Sequence, residues 1–197
     1  MGLPIERLIV ATNVNDILHR ALAKGDYSVG TVTPTAAPSM DIQVSSNFER
    51  LLFEASGRDG AAVASAYATL ASKGEAPLPK AAAAKLGDMG LSAERVSDHE
   101  TMDEMKRTYS ETGWVVCPHT AVGLAAARRN RIADGPVVTL ATAHAAKFPE
   151  TVEQVLGLKI GLPDRAADFV SRKEKFETGP MSADFVRKRI EAIVARA

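Results

Sequence analysis

The chain has 197 residues, 46% apolar and 24% charged, with 24 basic side chains balancing 24 acidic ones; this is ordinary for a soluble globular domain or for part of a larger one. Zero formal net charge and 5% aromatic residues give no electrostatic or stacking reason to expect nucleic acid or an anionic membrane as partner. A single cysteine, Cys117, excludes an intrachain disulfide and points to a reducing, cytoplasmic setting. The start (MGLPIERLIVATN) does not read as a signal peptide, because Glu6 and Arg7 interrupt a short apolar run. No apolar stretch approaches transmembrane length.

In chain order, residues 7–12 (RLIVAT) predict a buried strand, parallel and covered on both faces. So central-looking a strand, preceded only by MGLPIE, suggests a missing upstream helix. Residues 13–24 predict a helix capped by Asn13 or Asn15 and ended by Gly25. Residues 27–40, broken by Pro34 and Pro38, predict a loop of the kind that carries function when ordered. A short extended segment at 40–44 leads into a helix over 46–56, with Ser46 and Glu49 spaced as a capping box. Helices follow at 59–72 and 79–86. A third unit starts at Ser92, with Asp98 or Thr101 capping a helix through Tyr109. This succession without strands predicts a helical insert at about 57–110. Then come a strand at 114–116, a helix from Pro118 through Arg129, a strand at 137–141 and a helix at 148–156. That alternation is the mark of a parallel α/β layer. The expected organisation is one α/β domain over residues 1–160 and a charged tail over 161–197. The tail breaks at Gly179-Pro180 and closes in an amphipathic helix at 182–195, with Phe185, Ile190, Ile193 and Val194 on its inner side.

No self-sufficient catalytic motif is present: no Walker loop, GxGxxG, CxxC or HExxH. His19, His99, His119 and His144 have no metal-ligand spacing to one another or to Cys117, so no metal site is expected. Arg128, Arg129 and Arg131 lie at a helix end, where positive charge complements the helix dipole. Pro118 opens a helix directly after a strand, at the kind of junction that lines the ligand crevice of an open α/β sheet. Cys117 is then the cap. His119 and Thr120 either face a ligand or pack locally. Thr142 falls at the carboxyl end of the 137–141 strand, on the same side as Leu140, as a ligand contact or a satisfied core hydroxyl. If Ser46 and Glu49 cap their helix, Ser45 and Asn47 are left free at a helix N-terminus able to attract a phosphate or carboxylate.

Four segments, ATNVNDIL (residues 11–18), MDIQVSSNFERLLFE (40–54), PHTAVGLAA (118–126) and TLATAHAAKFPE (139–150), resemble segments of threonine synthases, in the family's order. The resemblance covers about residues 1–158; the tail is weakly diagnostic. It implies the carboxy-terminal part of a fold-type-II pyridoxal-phosphate enzyme: an α/β fold with a partial, three-layer parallel sheet and a helical insert. The family converts O-phospho-L-homoserine and water into L-threonine and phosphate, with pyridoxal 5'-phosphate between two α/β domains. The resemblance places the Schiff-base lysine, in a Phe-Lys-Asp context, and the Gly-Asn-Phe-Gly phosphate loop in the amino-terminal half; neither motif occurs in this chain. No catalytic residue is therefore assigned here. Thr142 matches the threonine whose hydroxyl meets the cofactor's pyridine nitrogen. Ser45, Asn47, His119, His144 and Lys147 are expected on the substrate side or the active-site wall. Lys147 is not at the family's Schiff-base position. Cys117 replaces the family's usual Asp, and Ala145 its usual Pro, which leaves a weaker cap and a less rigid loop as expectations.

These readings predict a chain inactive alone, whose partner is the missing amino-terminal half. The alternatives are a complementing module that pairs with a separate half, or an unrelated α/β protein binding a small anion or nucleotide. Apolar faces made for a missing half predict self-association or cover by a partner, particularly near residues 7–12.

Overall fold

A computed structural model describes residues 4–131 and 135–195. The chain divides into two compact units, Met1–Gly161 and Leu162–Ala197.

The first unit is built on a parallel strand pair, β1 (Leu8–Thr12) and β2 (Leu91–Arg95), in register from Leu8 opposite Leu91 to Thr12 opposite Arg95. A parallel pair needs a long crossover. Here it carries four helices: α1 (Ile17–Lys24), α2 (Phe48–Ala55), α3 (Gly60–Lys73) and α4 (Lys80–Leu86). Ile17, Phe48, Leu52, Val63, Leu70 and Leu86 bury their side chains together, with Leu91 of β2 packed against them. Val122 and Ala126 of α6 (Pro118–Arg129) pack with Val96, and Ile9 and Ala11 of β1 join them. Helices thus pack on both faces of the pair, but β1 falls short of the buried strand expected: Leu8 is exposed and Ile9, Val10 and Ala11 are half-buried. A third cluster joins Met105 of α5 (Asp98–Thr112), Ala121 of α6, Ala145 and Val152 of α7 (Pro149–Leu156).

Several local expectations are corrected. The predicted helical insert contains a strand: β2 lies inside 57–110. Its sequence, LSAER, is too short and too polar at its end to signal a strand without knowledge of β1. Gly90, just before β2, has φ +65°, and a Cβ there would sit 2.9 Å from the Glu6 carbonyl oxygen, so only glycine fits. The strands expected at 114–116 and 137–141 do not form. Trp114 is exposed, as are Val137, Val138 (81%) and Leu140 (77%), and an apolar run without a paired neighbour makes no ladder. The extended segment at 40–44 is loop.

Caps also move. Neither Asn13 nor Asn15 caps α1, whose cap position is Asp16 without a side-chain bond; Gly25 ends the helix in the left-handed region as expected. The Ser46–Glu49 box is absent, and Asn47 stands at the cap of α2 with no side-chain bond. A capping box forms instead at Ser97 and Glu100 on α5. Its hydrogen bonds from Ser97, with help from Arg129, pull the Glu100 carboxyl down to about 2. Cys117 does cap α6, its Sγ accepting from the Thr120 N–H at 3.4 Å.

The second unit holds α8 (Ala183–Val194), capped by the Ser182 hydroxyl and joined to its preceding segment by an Arg189–Glu177 ion pair. The expected inner side is corrected: Phe185, Ile190, Ile193 and Val194 are all exposed. Among the described residues, no helix is long and apolar enough to cross a membrane.

Candidate active-site wall

The carboxyl end of β1 runs into two buried asparagines, Asn13 and Asn15. Their side chains and a hydroxyl converge on one carboxylate. Asp41 Oδ1 accepts from Asn13 Nδ2 at 2.7 Å, Asn15 Nδ2 at 3.0 Å and Thr35 Oγ1 at 2.7 Å, while Oδ2 accepts from the Thr35 N–H at 2.8 Å. Asn15 also pairs both ways with the backbone of Thr33, donating at 2.8 Å and accepting at 2.8 Å. The loop predicted at 27–40 is thereby laced over the end of the sheet, its backbone groups satisfied by side chains. The Ala36 N–H donates to the Asp98 carboxylate at 3.0 Å, which ties the same loop to the start of α5.

His119 closes the other side. It is 8% exposed, on the first turn of α6, and its Nε2 accepts from the Ser39 N–H at 3.0 Å. That bond fixes the neutral tautomer, with the proton on Nδ1. Nδ1 is buried with no partner among the described residues, and the ring lies 4.5 Å from that of Phe148. Burial pushes the imidazole below its ordinary value, Lys147 pushes it further, and Asp41 partly opposes them. The ring is therefore an uncharged group suited to hydrogen bonding, joining helix, loop and the 145–148 turn.

The remaining candidates are distributed unevenly. His144 caps the short 3-10 turn Ala145–Lys147, its Nδ1 accepting from the Ala146 N–H at 3.1 Å, and it is exposed, as is Lys147. Lys147 lies close enough to act on the His119 charge. Thr142 is exposed, and no side-chain hydrogen bond is found for its hydroxyl among the described residues. Ser45 is buried, and its carbonyl accepts from the Tyr67 hydroxyl at 2.9 Å and the Tyr27 hydroxyl at 3.4 Å. Asn47 is exposed at the start of α2. His119 and Lys147 are brought together; no contact links Ser45 or Asn47 to them among the described residues.

Sequence reasoning missed Asn13, Asn15, Thr35, Ser39 and Asp41. The available signal was the Asn-x-Asn spacing directly after a strand, at the end of a sheet where ligand groups gather. It was read as helix capping instead. Among the described residues there is no cluster of His, Cys, Asp and Glu able to hold a metal ion.

Residues 120–190 match the family model for the carboxy-terminal region of threonine synthase. A threonine synthase of Pseudomonas aeruginosa is 44% identical over 180 residues, 89% of this chain and 38% of that protein. The crystal structure of pyridoxal-phosphate-bound threonine synthase from Brucella melitensis superposes with a TM-score of 0.82 and 42% identity, over 98% of this chain and 41% of that one. The yeast threonine synthase structure gives 0.77 and 32%, over all of this chain and 44% of the other. The chain spans about two-fifths of the length of the proteins it matches. These matches run over most of the chain and over the carboxy-terminal part of the proteins matched: the chain belongs to the threonine synthase family, as a carboxy-terminal portion of it.

Proposed function

We propose that this chain forms one wall of a threonine synthase active site, which converts O-phospho-L-homoserine and water into L-threonine and phosphate with pyridoxal 5'-phosphate in the cytoplasm. The observation that carries the reading is the close superposition, over 98% of the chain, on a threonine synthase solved with that cofactor. Thr142 would stand at the pyridine nitrogen, and its exposed hydroxyl, with no partner among the described residues, fits that place. The cofactor supplies an electron sink for elimination and addition. A hydroxyl holds no proton on the ring nitrogen as a carboxylate would, which keeps that sink weak. His119 orders the wall, and Lys147, His144, Ser45 and Asn47 are its candidate substrate-side groups.

The chain carries neither the Phe-Lys-Asp nor the Gly-Asn-Phe-Gly motif, so it is inactive alone. Titration of the purified chain with pyridoxal phosphate tests this. A stoichiometric, borohydride-reducible adduct at one specific lysine, with release of phosphate from substrate, overturns it. A second reading, a module that complements a separate amino-terminal half, draws support from the uncovered apolar run Val137, Val138 and Leu140. Co-expression with such a half, followed by a phosphate-release assay, decides it.

A further inference from the structure

Gly123 sits in the middle of α6, where glycine is less favourable than alanine. A Cβ built there would lie 2.9 Å from Thr139 Cγ2, too close for either atom to stay where it is. The partner is short and β-branched, so it has little rotamer freedom with which to move aside. Thr139 is also set apart from its neighbours. Residues 135–138 and 140–142 are exposed, and Thr139 alone is partly buried. Within residues 135–142, the Thr139 methyl is thus the group seated closest on the bare stretch of helix at Gly123.

The helix that offers this seat is itself held along its length. Cys117 caps its start, His119 joins it to Ser39, and Arg128 near its end bonds the buried Glu104 at 2.7 Å.

We propose that Gly123 is a positioning residue: the gap left by its missing side chain receives the Thr139 methyl and so sets where Thr142, three residues on, presents its hydroxyl. The seat concerns this chain's own geometry; its consequence for a cofactor rests on the role proposed above for Thr142.

The contact holds one methyl group, which either partner can supply. The test moves that methyl across the interface and reads the backbone amide resonances of Leu140, Ala141 and Thr142 in the labelled chain. G123A supplies a second methyl and shifts these three resonances; the gain from alanine in a helix and the clash with Thr139 act in opposite directions on the melting temperature, so the resonances carry the test. T139S removes the original methyl and shifts them as well. The double variant G123A/T139S restores one methyl and returns the resonances toward their native positions. T139V keeps the methyl and leaves them in place, so T139S and T139V decide the matter even if G123A does not fold. Unmoved resonances in both G123A and T139S overturn the proposal, as does a double variant no closer to native than the single ones. The cofactor consequence is read separately, from the visible absorption of pyridoxal phosphate bound to this chain paired with an amino-terminal half. A native spectrum with G123A, alongside shifted Thr142 resonances, overturns the role given to Thr142 and leaves the seat standing.

Discussion

His119 accepts a hydrogen bond from the backbone N–H of Ser39, eighty positions earlier in the chain. This bond exists only while Nε2 is unprotonated. Burial and Lys147 both disfavour the imidazolium, and Asp41 opposes them only in part. The folded-state pKa is thus below the unfolded one, and the unfolded chain binds more protons in mild acid. The linked stability is fully present above about pH 6.5, the ordinary histidine value. It declines as pH falls below that value, and it stops declining below the folded pKa. Urea midpoints at pH 8 and pH 5 should show this loss. His119→Gln, which keeps an acceptor near Nε2 without titrating, should flatten the difference. His119→Ala should cost about 1–3 kcal/mol at pH 8, from the lost hydrogen bond to Ser39 and the lost packing of a buried ring against Phe148.

Arg128 and Glu104 form the second tie on α6. The Glu104 carboxylate is buried and accepts from Arg128 Nε at 2.7 Å and from the Thr108 hydroxyl at 2.9 Å. Arg128→Met removes the charge partner and leaves the carboxylate buried. The expected loss is about 2–4 kcal/mol, toward the lower part of the range for broken buried pairs because Arg128 is 35% exposed. Adding Glu104→Gln should recover part of it. A double variant as unstable as Arg128→Met alone would mean that the orphaned charge is not the cause.

Asp41 collects four donors from three residues. Asp41→Ala removes the shared charged acceptor: the Thr35 amide loses its partner, while Asn13 keeps Thr35 Oγ1 and Asn15 keeps the Thr33 carbonyl. A destabilisation of about 3 kcal/mol or more is expected, since hydrogen bonds to a charged acceptor contribute about 1.5–3 kcal/mol each. Limited proteolysis should then cut first within residues 27–40, because that loop loses its lacing. Cleavage elsewhere at equal rate would show that the knot does not hold the loop.

How much of this was legible in the sequence depended on the range of the forces involved. Helix α6 came out with its bounds because Cys117-Pro118 and Arg128-Arg129 are local signals. The α2 box failed because a correct spacing at Ser46 and Glu49 competes with a turn that places Asn47 at the cap. Strand β2 was missed because its partner lies eighty-three positions away, Leu8 against Leu91, and LSAER carries no period of its own. The Asp41 knot was hidden for the same reason: Asn13 and Asn15 look like caps until the loop folds back on them. Thr142 was singled out by its place at the end of a predicted strand and then by family resemblance, Lys147 by resemblance alone, and burial marks neither of them. The run at 137–141 reads as a strand, yet Val137, Val138 and Leu140 stand exposed, because an apolar run signals a strand locally while a ladder needs a partner strand from elsewhere in the fold.

That uncovered run supports a last prediction, on Thr142. With the chain paired to an amino-terminal half, Thr142→Asp would place a carboxylate where the function proposed above puts a hydroxyl against the ring nitrogen. A carboxylate holds a proton on that nitrogen and strengthens the electron sink. Product partitioning should therefore shift toward side reactions, while the chain's own stability changes by less than about 0.5 kcal/mol, as expected for an exposed position without a partner. Thr142→Val, which removes the hydroxyl but keeps the shape, separates charge from sterics. If Asp and Val leave the same product ratio as threonine, the hydroxyl has no part in tuning the ring. If only Asp changes it, proton retention at the nitrogen is the operative difference.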